Sequence, residues 1–213
     1  MLDWPNCRNA RDLGGLPLTD GGRIRAGALM RSDNLDQLTD TGIAAVRAAG
    51  VSRIVDLRSV WECETFPSPF ADDDRWLNVP LTDPADPDVP ELDLFELYRI
   101  LVDDFPERFA AAIAAIAEAP PGAVLLTCHA GKDRTGLVTA LTLALIGVPH
   151  DAIATDYTIT NLTEPRPGFA LPTRQSILRT LTHLNTKYGG PAPYALAAGT
   201  TPTHLTSLNT RLR

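Results

Sequence analysis

The chain has 213 residues, of which 44% are hydrophobic and 21% are charged, and its formal net charge is −7. A chain of this length and composition buries enough surface to fold without disulfides or a structural metal, and we predict a single domain over residues 1–213. The acidic balance argues against nucleic acid as the main partner, because binding a phosphate backbone requires a basic face. An anionic small ligand would need a local cluster of positive charge.

Hydropathy and cysteine usage indicate the compartment. The longest apolar stretch, Leu137–Val148, contains threonines and is shorter than the ~20 residues of a membrane span, so no transmembrane segment is expected. The segment Met1–Pro5 lacks the basic lead and apolar run of a secretory signal peptide. Cys7 and Cys63 are expected to be buried free thiols rather than disulfide partners of Cys128. We expect a cytoplasmic protein, and export without a signal peptide stays open.

The first half of the chain shows strand and helix patterns in alternation. Asn9–Gly15 is typical of a polar loop, and Arg23–Met30 indicates a short edge strand. Thr39 is a candidate N-cap for a helix that ends at Gly50. A buried strand is predicted over Val51–Leu57.

The central part continues this alternation. Trp76–Leu81 indicates another strand, and the proline-rich segment Thr82–Pro90 indicates an irregular loop. Apolar spacing predicts a helix over Leu92–Val102 and a second helix after Pro106, both covering a sheet. The apolar run Gly122–Thr127 is predicted to be a central strand.

The last third has helical patterns only. We predict helices over Leu137–Ile146, from Pro149 toward Asn161, from Ile177 to Gly189, and from Thr201 onward. The helices after Glu164 either form a lid or pack in the core. The order of elements predicts an α/β fold, with a central sheet flanked by helices and a helical C-terminal half.

The segment Cys128–Gly136 lies between the predicted central strand and an apolar helix. A loop that enters a helix N-terminus presents backbone N–H groups and the positive end of the helix dipole, which together favour an anion. Such a setting stabilises a thiolate, so Cys128 is a candidate nucleophile. Arg134, six residues later, can offer its planar fork to two phosphate oxygens.

The residues around this cysteine and arginine strengthen the prediction. Gly131 permits close backbone approach, Thr135 places a hydroxyl near the thiolate, and Gly136 admits tight packing. A Walker nucleotide loop is excluded, because Asp133 stands where that motif requires a serine or threonine. The alternative is an inert buried cysteine. The predicted phosphate-binding residues are His129, Ala130, Gly131, Lys132 and Thr135.

The loop C-x-x-G-K-D-R-T-G resembles the bacterial branch of the cysteine-dependent tyrosine phosphatases, which acts on phosphotyrosine and often on phosphoinositides. Motifs across nearly the whole chain add to the resemblance: Asn9–Gly15, Met30–Ser32, Val55–Ser59 with Glu62, Asp156-Tyr157, and Tyr188–Gly190 through Tyr194. The chain departs from the family at one position. Thr127 precedes the cysteine where the family usually has histidine, and His129, to which we assign no catalytic role, follows it.

The resemblance implies a tyrosine-phosphatase-like sheet and a two-step mechanism. Cys128 would attack phosphorus to give a cysteinyl-phosphate, and water would then hydrolyse it without a metal or cofactor. Arg134 and the loop amides would stabilise the charge on the transferred phosphoryl group. In lipid-active relatives the proposed general acid is the Asp immediately before the Arg, which favours Asp133 here.

Several alternatives stay open for the acidic residues. Asp83, Asp86 and Asp88 on the proline-rich loop are the other candidates for the general acid. Asp133 is instead structural if it pairs with a neighbouring arginine and orients the loop.

Two pairs elsewhere in the chain are expected to be structural. An Arg58–Glu62 ion pair is the simplest interpretation of those two residues, and Arg11 and Asp12 are expected to brace the loop from outside.

The sequence thus predicts a phosphomonoester hydrolase acting on phosphotyrosine, with phosphoserine, phosphothreonine or phosphoinositides as further substrates. Lys132 adds charge that suits multiply phosphorylated substrates. The competing interpretation is a catalytically weak module that only binds phosphate esters.

Overall fold

The structure is a computed structural model that describes residues 1–86, 93–163 and 171–213. Within these ranges it contains one mixed sheet of five strands in the order β1-β2-β5-β3-β4, in which β1 is antiparallel and the other strands are parallel. The strands are β1 Arg11–Asp12, β2 Leu29–Ser32, β3 Val51–Asp56, β4 Trp76–Asn78 and β5 Ala123–Thr127. This arrangement confirms the predicted α/β class and the central place of the strand before Cys128.

Helices cover both faces of the sheet. Their bounds in the described part of the chain are α1 Asp40–Ala48, α2 Val60–Thr65, α3 Leu94–Asp104, α4 Pro106–Ala117, α5 Asp133–Leu145, α6 His150–Thr163, α7 Arg174–Tyr188, α8 Pro191–Ala198 and α9 Pro202–Leu212. None of these helices combines the length and the apolar character that a bilayer crossing requires. The predicted helical C-terminal half is confirmed.

The alternation of side chains along the strands divides the core into two layers. Val55, Val124 and Leu126 face the larger layer, to which α3 through α9 all contribute buried side chains. Ile54 and Leu125 face the smaller layer, which is built from α1 and the N-terminal segment. The apolar face of α7 therefore lies in the core, so α7 is not a lid.

The parallel register sets the position of the loops that follow the strands. Thr127, the last residue of β5, is paired with Ser32 of β2 and with Asp56 of β3. The carboxyl ends of three strands thus meet at one edge of the sheet, where sites of α/β proteins collect. Cys128 follows the middle one of these strands.

Local signals explain several correctly predicted helix ends. The Thr39 hydroxyl accepts a hydrogen bond from the Gly42 amide and caps α1. Gly189 adopts a left-handed conformation with φ of 78° and ends α7.

One strand prediction and one loop prediction in the N-terminal part were wrong. The strand expected over Arg23–Met30 is Leu29–Ser32 and lies inside the sheet, because Arg23 and Arg25 are exposed and the chain turns at Gly27 with positive φ. The edge strand next to it is β1, within the segment Asn9–Gly15 predicted to be a loop.

Other differences concern the ends of elements. The strand that begins at Trp76 ends at Asn78, since Pro80 cannot donate to a ladder. The helix expected from Leu137 begins four residues earlier, at Asp133. Leu92 lies outside the described residues, and α3 begins at Leu94. Helices α2 and α8 were not predicted from the sequence.

A buried ionic cluster joins α6 to the edge of the sheet. Asp156 on α6 accepts hydrogen bonds from Arg11 of β1 at 2.7 Å and from Arg31 of β2 at 2.8 Å. The side chains of all three residues are at most 4% exposed. A buried pair costs more when one partner is lost than it contributes when intact, because the remaining charge is left without a partner.

Replacing Asp156 tests this cluster. We expect Asp156→Asn to lower the free energy of unfolding by about 3–5 kcal/mol in urea denaturation, because two buried arginines lose their counter-charge. Asp151 lies on the same helix with a side chain that is 84% exposed and pairs with Arg174, so Asp151→Asn is the matched control. The control should cost less than about 1 kcal/mol, and equal losses in the two variants would contradict a structural role specific to Asp156.

Candidate active site

Cys128 lies at the floor of the loop between β5 and α5. It follows Thr127 directly and is 2% exposed. The helix begins at Asp133, and the Gly136 amide donates to the Lys132 carbonyl to close the first turn. The amides before Gly136 in that first turn have no acceptor inside the helix, so they are available to an anion.

Glycine is required at two positions of this segment. Gly131 has φ of 64°, and a Cβ there would lie 2.4 Å from the carbonyl oxygen of Ser32. A Cβ on Gly136 would lie 2.7 Å from the ring of Tyr157 on α6. These contacts confirm the predicted close approach at Gly131 and the tight packing at Gly136.

The loop carbonyls are held on its outer side. Asn9 Nδ2 donates to the carbonyl oxygens of Gly131 at 3.0 Å and Ala130 at 3.4 Å, and Arg31 Nη2 donates to Gly131 O at 2.7 Å. In a trans peptide the N–H points opposite to the C=O. The amides of Gly131 and Lys132 are therefore turned toward the inside of the loop.

Arg134 is oriented by a carboxylate that is distant in the sequence. Its Nη1 and Nη2 lie 2.5 Å and 2.8 Å from the two oxygens of Glu62, and Nη1 also lies 3.3 Å from Thr82 Oγ1. Glu62 is itself fixed by a capping box at the start of α2, where its carboxylate accepts the Ser59 amide at 2.9 Å. The guanidinium fork is thus positioned before any ligand arrives.

The expected Arg58–Glu62 ion pair was wrong. Arg58 instead pairs with Asp56, with Nη2 and Oδ2 at 2.6 Å, in a pair that is buried on both sides. Arg58 Nη1 also donates to the carbonyl of Phe66 at 2.7 Å. Glu62 faces the opposite direction because its side chain turns back over the N-terminus of α2 toward the loop.

The Glu62–Arg134 ion pair shifts the pKa values of both residues. Burial alone would raise the pKa of Glu62, but the hydrogen bond and charge of Arg134 outweigh it and lower the pKa from 4.5 to about 2. Burial likewise opposes the charge on Arg134, yet its bond to Glu62 and the nearby charge of Cys128 raise its pKa above the ordinary value. The guanidinium and the sulfur are therefore electrostatically coupled.

Positive charge is in excess beneath the loop. Among the described residues Arg11 and Arg31 share one carboxylate, Asp156, so these three side chains together carry one net positive charge. Burial and repulsion from Arg31 lower the pKa of Arg11 to about 10, which keeps it protonated at neutral pH. This excess favours a dianionic ligand above it.

Asp133 lies at the mouth of the loop. Its Oδ1 accepts a hydrogen bond from the Tyr98 hydroxyl, and its Oδ2 lies 3.8 Å from Lys132 Nζ. The described residues provide it with a tyrosine partner rather than the arginine that the structural interpretation required. The carboxylate side chain is 35% exposed and accessible to a ligand.

The alternative acids differ in their availability. Asp83 is exposed and follows Thr82, which contacts Arg134, so it lies at the edge of the site. Asp86 is held by two hydrogen bonds of 2.7 Å from Arg108, and these bonds lower its pKa. Asp88 lies outside the described residues.

Three residues next to Cys128 and Arg134 have distinct environments. The Thr127 hydroxyl donates to the Asp33 carbonyl at 2.6 Å, so it fixes the end of β5. Thr135 Oγ1 is buried and has no hydrogen-bond partner among the described residues. His129 is half-buried, with its ring 5.7 Å from that of Phe66.

The other cysteines and the N-terminal charges take structural places. Cys7 Sγ donates to Asp33 Oδ1 at 3.1 Å, and the three cysteines are free. Asp12 accepts the amides of Gly14 and Gly27 and fixes that turn, so its predicted contact with the phosphate loop was wrong. Arg11 acts on the loop through Asn9, to which it donates hydrogen bonds.

Four residues that contribute to the site were not predicted in these roles from the sequence: Asn9, Glu62 as the partner of Arg134, Thr82 and Tyr98. The capping-box spacing from Ser59 to Glu62 was the one local signal for them. Within the described ranges, no three His, Cys, Asp or Glu side chains converge in a way that would hold a metal ion.

The pH dependence of stability tests the Glu62–Arg134 pair. Because the pKa of Glu62 is depressed, its contribution is complete above the ordinary 4.5 and is lost as the pH falls toward about 2. We expect Glu62→Gln to cost on the order of 2–3 kcal/mol of unfolding free energy near pH 6, and less than half of that near pH 3.

The exposed Glu64 on the same helix provides the control for that series. Urea denaturation of Glu64→Gln should show a small difference from the wild type that does not change with pH. A Glu62→Gln cost that is constant from pH 6 to pH 3 would contradict the ion pair.

Comparisons with known proteins agree with this geometry. A protein of Cupriavidus necator whose name describes a tyrosine-protein phosphatase is 34% identical over 173 residues, which are 75% of this chain and 63% of the relative. A tyrosine-protein phosphatase of Nostoc commune is 35% identical over 144 residues, 64% of this chain and 49% of the relative. The chain thus spans about half to two thirds of the length of these two relatives.

A third relative extends the match. The triple specificity protein phosphatase PtpB of Mycobacterium tuberculosis is 30% identical over 202 residues, which cover 78% of this chain and 71% of the relative. The sequence profile described as the tyrosine phosphatase family matches residues 2–213. With the loop that carries Cys128 and the oriented Arg134 in place, the chain belongs to the tyrosine phosphatase family.

Proposed function

We propose that the chain is a metal-independent phosphatase that hydrolyses phosphotyrosine through a cysteinyl-phosphate on Cys128. The observation that carries this proposal is the fork of Arg134, held by both oxygens of Glu62 beside a buried cysteine at the end of β5. A guanidinium fixed in this way can bind two equatorial oxygens of a phosphoryl group without reorganising during the reaction.

The chemistry proceeds in two displacements. The Cys128 thiolate forms a bond to phosphorus while the bond from phosphorus to the ester oxygen breaks, and an acid gives the leaving oxygen its proton. Water then attacks phosphorus, the P–S bond breaks, and the same carboxylate takes the proton from water. The inward amides of Gly131 and Lys132 and the charge of Arg134 stabilise the phosphoryl oxygens in both steps.

The depth of the sulfur supports an aryl phosphate as substrate. Cys128 is 2% exposed, so a phosphate has to descend below the rim of the loop to reach it. A phosphotyrosine ring provides a longer arm than the side chain of phosphoserine or phosphothreonine. The name of the mycobacterial relative includes triple specificity, which supports keeping phosphoserine and phosphothreonine as secondary substrates.

Phosphoinositides are the other substrate class within this proposal. Lys132 supports it, since its ammonium lies at the mouth of the loop near Asp133 and can face a second phosphate. Turnover of phosphoinositide vesicles beside a phosphotyrosine peptide decides the matter, and the absence of lipid turnover would remove this class.

We propose Asp133 as the general acid, with Asp83 as the alternative. Asp133 is partly exposed at the loop mouth and has one oxygen fixed by Tyr98, whereas Asp83 is exposed on the neighbouring loop. His129, Ala130, Gly131, Lys132 and Thr135 complete the proposed phosphate site. The buried Thr135 hydroxyl, without a partner among the described residues, is suited to bond the thiolate or its ligand.

A binding module that holds phosphate esters without turnover is the competing proposal. The threonine at position 127, where the family usually has histidine, motivates it, because its hydroxyl donates at 2.6 Å to Asp33 O and only at 3.4 Å to Cys128 O of the loop. We further propose a single domain over residues 1–213 and a cytoplasmic location, which the three free thiols and the net charge of −7 support.

Hydrolysis of an aryl phosphate in the presence of a chelator tests the nucleophile. We expect Cys128→Ser to reduce turnover by more than about a thousandfold, because a hydroxyl lacks the nucleophilicity of a thiolate. Cys63 is the matched control, since burial and the charge of Asp56 raise its pKa to about 11 and keep it a thiol at neutral pH. Cys63→Ser should retain activity within roughly twofold. Binding of phosphate esters by a wild type that releases no phenol would leave the binding module as the function.

Comparison of leaving groups identifies the acid. Asp133→Asn is expected to lower kcat/KM for phenyl phosphate by about 10²- to 10⁴-fold and to have little effect on dinitrophenyl phosphate, whose leaving group departs without a proton. Asp83→Asn is the parallel variant. If that steep dependence on the leaving group appears with Asp83→Asn and not with Asp133→Asn, the acid is Asp83.

A further inference from the structure

Two buried tyrosines form a chain that ends on Asp133. Tyr98 of α3 is 0% exposed and Tyr157 of α6 is 1% exposed. The Tyr98 hydroxyl bonds both to Asp133 Oδ1 and to the Tyr157 hydroxyl. The two rings meet edge to face with centroids 6.4 Å apart. The two hydrogen bonds thus connect α3 and α6 to the start of α5.

The hydrogen bonds between Tyr157, Tyr98 and Asp133 have a defined donor-to-acceptor direction. A tyrosine hydroxyl carries one proton, and the bond to the carboxylate uses the proton of Tyr98. The bond between the two phenols must then be donated by Tyr157 to Tyr98. The ring of Tyr157 is held against Gly136, where even a Cβ would not fit, so the chain has little freedom to rotate away.

Both phenols act as donors rather than as acids. Burial, followed by the electrostatic interactions with Tyr157 and with the Asp133 carboxylate, raises the pKa of Tyr98 well above 10. Burial and Asp133 also raise the pKa of Tyr157. Neither tyrosine loses its proton near neutral pH, so the hydrogen bond to Asp133 Oδ1 is present throughout the working range.

The two oxygens of Asp133 are therefore not equivalent. Oδ1 is engaged by Tyr98, while Oδ2 lies on the side of Lys132, at 3.8 Å from its Nζ. When the carboxyl group is protonated with Tyr98 still donating to Oδ1, the proton resides on Oδ2. That oxygen belongs to a side chain that is 35% exposed at the loop mouth, where a leaving group would be.

We propose that Tyr98 is a positioning residue that fixes which oxygen of Asp133 delivers the proton to the leaving group, with Tyr157 holding Tyr98 in that role. This inference rests on the proposed function and on Asp133 as its acid. If the proton of Asp133 does not face the leaving group, kcat/KM falls most for substrates whose leaving group must be protonated. General acid catalysis contributes only to the departure of such groups.

Tyr98→Phe is the direct test, because it keeps the buried ring and removes only the hydroxyl. We expect kcat/KM for phenyl phosphate to fall about tenfold, the equivalent of one lost hydrogen bond, while kcat/KM for dinitrophenyl phosphate stays within about twofold. Tyr157→Phe leaves the bond from Tyr98 to Asp133 in place, and it should give the same pattern with a smaller loss of about threefold.

Tyr194→Phe is the matched control. Tyr194 is equally buried, and its hydroxyl donates to the carbonyl of Val102 on the same helix as Tyr98, away from Asp133. It should lose similar thermal stability and show no change in dependence on the leaving group. Should Tyr98→Phe fail to fold, the pattern for Tyr157→Phe decides the inference.

The outcomes separate the inference from the proposed function. Equal losses on both substrates, or no loss on either, in a folded Tyr98→Phe enzyme would overturn the positioning role while hydrolysis by Cys128 stands. A dependence on the leaving group that appears with Asp83→Asn alone would overturn it in the same way. A wild type without turnover would instead contradict the proposed function itself.

Discussion

The position of the loop that carries Cys128 depends on one buried carboxylate. Asp156 neutralises one of two arginines, Arg11 and Arg31, and holds both in place. Arg31 in turn holds the Gly131 carbonyl on the outside of the loop. Because a trans peptide has its N–H opposite its C=O, the loop amides face inward. The loop is therefore held from behind, by an ionic cluster on β1, β2 and α6.

A second ion pair, Arg134–Glu62, lies at the mouth of the loop. Glu62 orients the fork of Arg134 and reduces its net field. Among the described residues, the Arg11–Arg31–Asp156 cluster has one more positive than negative charge. Arg134 can thus provide the orientation of the guanidinium fork, while the buried cluster provides positive electrostatic potential at the loop. This cluster also places positive charge beside the loop in a chain whose net charge is −7.

Features that depend on residues adjacent in the sequence could be predicted, and features that depend on residues far apart in the sequence could not. The loop Cys128–Gly136 could be predicted because the strand before it, the loop itself and the helix after it are contiguous in the sequence. Each of the three has a local sequence signal. The Arg58–Glu62 pair was wrong because spacing of four residues in a helix favours pairing only when both lie on it, and Glu62 instead reaches Arg134, 72 residues away. Tyr98 is 35 residues from Asp133, and no pattern relates them. The two-residue β1 is defined only by its pairing with β2.

The central claim is that phosphate passes through the sulfur of Cys128, and trapping of that intermediate tests it most directly. Enzyme mixed with a radiolabelled aryl phosphate and quenched in acid during the first turnover should carry one phosphoryl group on the peptide that contains Cys128. Phenol should be released in a burst that matches the enzyme concentration, and Cys128→Ser should show neither. Steady release of phosphate with no burst and no label on that peptide would contradict the account.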